Sequence, residues 1–127
     1  MYLGIRSVIY PAPDLAASRD WFARLLGVEP YFDEPFYVGF SLGGYELGLD
    51  PGADVARGPI SYWGVDSASE TLADLLAAGA TDSSGITDVG DGLLMATVQL
   101  PNDGGLFGII ENPSFVVAPV ASNGPGQ

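Results

Sequence analysis

Neither cysteine nor histidine occurs among the 127 residues. The first absence excludes a disulfide framework, a thiolate metal site and a cysteine nucleophile. The second removes the commonest metal ligand and the side chain best suited to proton transfer near neutrality. Positive charge is scarce as well. Arg6, Arg19, Arg24 and Arg57 stand against 16 acidic residues, for a net charge of −12. So acidic a surface repels phosphate backbones, and nucleic acid is not an expected partner. Solubility is the plain explanation of the charge, and attraction of a cationic ligand the sharper one. No apolar run reaches the roughly 18 residues of a spanning helix, so no membrane partner is expected. The start, MYLGIRSVIY, lacks a signal peptide's basic region and cleavage site, which makes a cytoplasmic protein the expectation. No GxGxxG opens a helix, and neither a Walker A sequence nor a GxSxG elbow occurs. Any chemistry must run on carboxylates, hydroxyls or backbone groups.

What is present is core-forming sequence arranged twice. Hydrophobic residues make up 47% of the chain, enough for a packed core in a single domain of this length. In the stretch 14–27, DLAASRDWFARLLG, Asp14 can cap a helix whose apolar stripe is Leu15, Phe22, Leu25 and Leu26, and Gly27 supplies the stop. The same grammar returns in VDSASETLADLLAAG. There Ser67 and Glu70 have capping-box spacing, Leu72, Leu75 and Leu76 form the stripe, and Gly79 ends it. Each helix follows an apolar strand and precedes more strand-like sequence. The repeat is therefore one strand–helix–strands unit used twice, with the function expected between the copies.

In chain order, residues 2–10 read as the first strand, 28–32 as a short strand broken by 33–35, and 36–42 as the next. Gly43-Gly44 is a two-residue hairpin turn before a strand at 45–49. The turn-rich 51–59 is a linker between module one (1–50) and module two (60–112). Strands are expected at 60–65, 93–100 and 106–111, with only a weak strand and a mobile loop over 80–92. Residues 113–127 read as a partly ordered tail.

Three stretches in this order, DLAASRDWFARLLG with its preceding strand, VDSASETLADLLAAG and NDGGLFGIIE, resemble the vicinal oxygen chelate superfamily of glyoxalases, bleomycin-resistance proteins and extradiol dioxygenases. The resemblance covers residues 1–112 and implies an α+β fold in which two βαβββ modules form curved, mixed half-barrel sheets around a cavity. It also implies a homodimer. At the positions where the superfamily's metal enzymes keep their ligands, this chain has Ser7, Glu46, Ile60 and Gly108. Ile60 and Gly108 have no side-chain donor, and a catalytic divalent ion needs about three protein ligands. No metal and no cofactor are therefore expected.

If Ser7, Glu46, Ile60 and Gly108 face the cavity, as the resemblance implies, strand alternation puts Ile5, Ile9, Gly48, Tyr62, Leu106 and Ile110 on the same face. Tyr37 and Tyr62 each offer a ring face and a hydroxyl. The candidate ligand-binding set is Ser7, Ile9, Tyr37, Glu46, Ile60, Tyr62, Gly108 and Ile110. It suits a small organic ligand, apolar or aromatic, with a cationic group permitted by the charge. The nearest precedent that the resemblance supplies is the antibiotic-binding branch, whose acidic dimers sequester a toxic compound. Glu46 is the one candidate acid or base, which leaves a metal-independent lyase, isomerase or cyclase as an alternative. A structural or regulatory dimer whose cavity is filled by its own side chains is the third reading.

Overall fold

The computed structural model describes residues 2–113. All but the first residue of the tail expected at 113–127 lies outside them. The element order is β1 (Tyr2–Pro11), α1 (Leu15–Leu26), β2 (Phe32–Glu34), β3 (Tyr37–Leu42), β4 (Tyr45–Asp50), β5 (Ile60–Val65), α2 (Ala68–Ala77), β6 (Thr81–Asp82), β7 (Thr87–Asp88), β8 (Leu94–Gln99) and β9 (Leu106–Glu111). A single 3₁₀ turn, Val55–Arg57, lies in the linker. Both helices start as their caps dictate. Asp14 accepts from the Ala17 N–H and Ser67 from the Glu70 N–H. Gly27 ends α1 in the left-handed conformation, φ 73°.

One mixed sheet runs in the order β2-β3-β4-β1-β5-β9-β8-β6, with β7 also paired to β8. Within each module the first and last strands pair in parallel, β1 with β4 and β5 with β9. The modules join through the antiparallel β1–β5 ladder, so they pair with each other inside the chain. The two βαβββ units and the α+β class are therefore as expected.

Both helices cover the same face of the sheet. Under α1 the core is Ala12, Val38, Phe40 and Leu49, packed by Leu15, Phe22, Ala23 and Leu26. Under α2 it is Val65, Ala68, Ala96 and Ile109, packed by Leu72 and Leu75. Two expected stripe residues do not join. Leu25 is 61% and Leu76 40% exposed, because each sits at the outer margin of a stripe already filled by its neighbours. Among the described residues, the other face of the sheet carries no helix.

Three local differences from the sequence reading have plain causes. The second strand starts after Pro30 rather than at 28, and its residues Phe32, Asp33 and Glu34 pair with Gly39, Val38 and Tyr37. Only Pro35 lacks a donor, so the turn falls at 35–36 and the strand survives the acidic residues before it. The stretch 80–92 is a broken edge strand, present as β6 and β7. Finally, β1 carries two register shifts, one between Tyr2 and Ile5 and one between Ile5 and Ser7. Ile5 consequently lies opposite Trp63 and leaves the cavity side expected for it.

Phe40 is fully buried beneath α1. Phe40→Ala should cost about 3–5 kcal/mol in urea unfolding, as large-to-small core changes do. A single transition with an unchanged denaturant slope is expected, since the β1–β5 ladder ties both cores into one sheet. Two separated transitions would show that the modules unfold independently.

Candidate functional site

The helix-free face is organised by one row of register partners. Ser41, Glu46, Ser7, Tyr62, Gly108 and Thr97 follow one another across β3, β4, β1, β5, β9 and β8. In-register neighbours share a face, so the row places module-one carboxylate and hydroxyl groups beside the module-two aromatic. A second row sets Gly48 beside Ile9 and Ile9 beside Ile60. Ile9 and Ile60 are half-buried there and form an apolar strip between the modules.

Glycines make this face what it is. A Cβ on Gly39 would come within 2.8 Å of a Glu46 carboxylate oxygen and 3.0 Å of the Tyr31 ring. On Gly48 it would collide with the Tyr37 hydroxyl, on Gly64 with the Arg6 guanidinium, and on Gly108 with the Tyr62 ring. Each long polar or aromatic side chain therefore lies flat across a strand that offers no side chain of its own. Gly108 is not a surface available to a ligand, because the Tyr62 ring covers it.

Glu46 is the electrostatic centre. Ser7 Oγ donates to its Oε1 at 3.2 Å and Tyr31 Oη donates to its Oε2 at 2.5 Å. Burial, then the adjacent Glu46 charge, pushes the Tyr37 hydroxyl well above the ordinary phenol value. Tyr31 is raised in the same direction, by burial and then by its bond to Glu46. Tyr62 is raised by burial, and further by Asp50. Beside them a cavity of about 360 Å³ is lined by Arg6, Ser7, Tyr31, Ser41 and Glu46 from module one and by Leu93 and Ile110 from module two. Arg6 is 7% exposed, and burial lowers its guanidinium from the usual value.

Of the eight expected binding residues, Ser7, Glu46 and Ile110 line this cavity. Tyr37 lies over Gly48 next to Glu46, and Tyr62 lines a neighbouring cavity in module two. Arg6 and Tyr31 belong to the site and were not among the candidates. Arg6 enters because the register shift before Ser7 breaks alternation and puts two successive residues on one side. The sequence does carry a signal for it, a glycine inside the strand: Gly4 adopts φ 103° there. Tyr31 falls within the strand expected at 28–32, but the observed strand starts only at Phe32, so alternation does not set the direction of its side chain.

A divalent metal does not fit these residues. Glu46 is the one carboxylate of the row, and its other members, Ser41, Ser7, Tyr62, Gly108 and Thr97, offer hydroxyls or no side-chain donor at all. No group of three or more potential ligand residues clusters among the described residues.

Comparison with known proteins supports the architecture. No protein-family model matches the chain, and no curated protein does. Among solved structures, the Streptomyces coelicolor methylmalonyl-CoA epimerase in complex with 2-nitronate-propionyl-CoA superposes with a TM-score of 0.72 at 17% identity, over 91% of this chain and 98% of that one. A glyoxalase/bleomycin resistance protein/dioxygenase superfamily member from Vibrio splendidus 12B01 gives 0.65 at 21% identity, over 85% and 99%. A structure described as an NAD-dependent benzaldehyde dehydrogenase from Legionella pneumophila gives 0.66 at 18%, over 84% and 97%.

Raised tyrosine values in the folded state have a consequence for alkaline stability. The unfolded chain loses those phenolic protons first, so the stabilisation is complete below the ordinary phenol range near pH 10 and is lost as pH climbs through it. Tyrosinate absorbance should show a fraction of the six tyrosines ionising late in the native protein. Glu46→Gln should bring part of that fraction back toward the ordinary range. An unchanged titration would mean that Glu46 does not act on Tyr31 and Tyr37.

Proposed function

We propose, from the vicinal oxygen chelate, or glyoxalase-like, fold that the chain shares with these structures, that it is a metal-free small-molecule-binding protein of the glyoxalase/bleomycin-resistance type. Its ligand is a small organic molecule with an apolar or aromatic body. The observation that carries the reading is Glu46, held by Ser7 and Tyr31 at the wall of a cavity large enough for such a molecule. Rigid aromatic faces supply contact area, and a pre-oriented carboxylate supplies direction and a preference for a cationic or hydrogen-bond-donating group. The net charge of −12 draws a cationic ligand toward the same place. The fold's other members bind small molecules too, as the epimerase complex with a CoA ester illustrates.

A second reading draws on the same carboxylate. Glu46 is already positioned by two hydroxyls inside a cavity, the arrangement that an acid or base in a metal-independent lyase, isomerase or cyclase requires. Homodimer formation belongs to the proposal as well. Trp21 and Leu25 on the outer side of α1 are 52% and 61% exposed, apolar surface that a second copy would cover. Sedimentation giving a single species near the 13.2 kDa chain mass would reject the dimer.

The test of binding is calorimetric titration of the wild-type protein and Glu46→Gln against aromatic natural products, cationic and neutral. Micromolar binding of cationic members is expected, weakened about 10- to 100-fold in the variant, the range for a hydrogen bond to a charged group. Turnover of a bound member that Glu46→Gln abolishes would favour the second reading. Equal affinities in both proteins would remove Glu46 from the site.

Elemental analysis after exhaustive dialysis tests the metal-free state. No stoichiometric zinc, nickel, iron or manganese is expected. One ion per chain whose removal also abolishes ligand binding would overturn it.

A further inference from the structure

A second cavity, of about 200 Å³, lies on the same open face in module two, between Tyr62 and β8. It exists because the edge strand is broken. β6 pairs with β8 at Thr81↔Gln99 and β7 pairs with it at Thr87↔Met95, but the backbone between them leaves the ladder. Ser84 bridges the gap. Its hydroxyl accepts the Thr97 N–H at 2.9 Å and donates to the Gly85 carbonyl at 2.7 Å. The Ser83 and Ser84 N–H groups both reach the Thr97 carbonyl, at 3.0 and 3.3 Å. On the side away from β9 the main chain of Thr97 is thus satisfied without a strand running beside it, and the space against Thr87, Val89 and Met95 stays open. None of the residues lining this space is charged.

Residues that line the two cavities are neighbours in the sheet. Ser7 of the first and Tyr62 of the second are register partners across β1 and β5. From Glu46 the row passes through Ser7, Tyr62 and Gly108 to Thr97, four strand spacings of about 4.8 Å each along the sheet. An apolar cavity of about 150 Å³ accepts a benzene ring, so the module-two space is of aromatic-ring size.

We propose that this cavity is the tail compartment of the binding site, so that the ligand is an elongated amphiphile with its polar or cationic end at Glu46 and Ser41 and its apolar end past Tyr62, between Val89 and Met95. The inference rests on the binding reading above and adds to it the length and polarity order of the ligand. Tyr62, lying over Gly108 at the boundary, sets the passage between the compartments.

The experiment is calorimetric titration with benzylamine, phenylpropylamine, phenylpentylamine and phenylheptylamine, on the wild type, Thr87→Phe, Thr97→Leu and Glu46→Gln. Thr87 is exposed on the edge, and Thr97→Leu fills the same space from the opposite wall, so the two fillings check each other. In the wild type, affinity should rise in one step of about tenfold or more when the chain is long enough for the ring to enter the second compartment. Both filling variants should abolish the step, and Thr87→Phe should do so while leaving benzylamine unchanged. A smooth rise with chain length that neither filling variant alters would overturn the tail compartment. If the step persists in Glu46→Gln with unchanged affinities, the compartment stands and the role of Glu46 fails. Absence of saturable binding by every member overturns both.

Discussion

Ser7 sits where β1 is hydrogen-bonded on both sides, in parallel to Glu46 on β4 and antiparallel to Tyr62 on β5. The rest of the molecule depends on that double ladder. The β1–β4 pairing closes module one over α1, and the β1–β5 pairing is what makes two small units one sheet. A unit of about 50 residues buries too little surface to stand well alone. Pairing the two along their first strands also removes two of the sheet edges that would otherwise be exposed. The edges that remain are short, three residues in β2 and two each in β6 and β7, which limits pairing with foreign strands.

The same sheet has to serve as a core on one face and a binding surface on the other. Val38, Phe40, Leu49, Val65, Ala96 and Ile109 fill the helix-covered face in two separate clusters. On the open face, Gly39, Gly48, Gly64 and Gly108 alternate with them. A glycine within a strand costs stability through lost packing and added chain entropy. Four of them beneath Glu46, Tyr37, Arg6 and Tyr62 let those side chains lie against the backbone and leave room above. Stability thus comes from the covered face, and the open face is shaped for contact.

Much of this was legible in the sequence. The capped helices, the Gly43-Gly44 turn, the two modules and the fold class follow from short-range chemistry: a side-chain oxygen before a helix, a positive φ at a turn, alternation along a strand. What escaped depends on registration between strands. Alternation counted from Ser7 put Ile5 on the cavity side, but the added residue between them reversed it and brought in Arg6. Leu25 and Leu76 carried the right spacing for burial, yet the width of the stripe that each helix buries is set by the sheet beneath it. Tyr31 reaches Glu46 only because β2 begins after Pro30 and folds back on β3, a tertiary consequence that no local pattern contains.

The geometry also weighs the two uses of Glu46 against each other. Each of its oxygens already accepts a hydrogen bond, from Ser7 and from Tyr31. To take a proton from a substrate, the carboxylate would have to use its remaining lone pairs or displace Tyr31 Oη from a short contact. Holding a ligand's cationic group asks for neither, because a carboxylate accepts several donors at once. No histidine, cysteine or lysine occurs in the chain to carry a proton onward. Besides the Ser7 and Ser41 hydroxyls, the nearby hydroxyls are those of tyrosines that burial and the Glu46 and Asp50 charges keep protonated, which fits them to donate hydrogen bonds rather than to relay protons. A fixed anion among rigid donors and rings is therefore better suited to recognition than to turnover, and binding comes first for that reason.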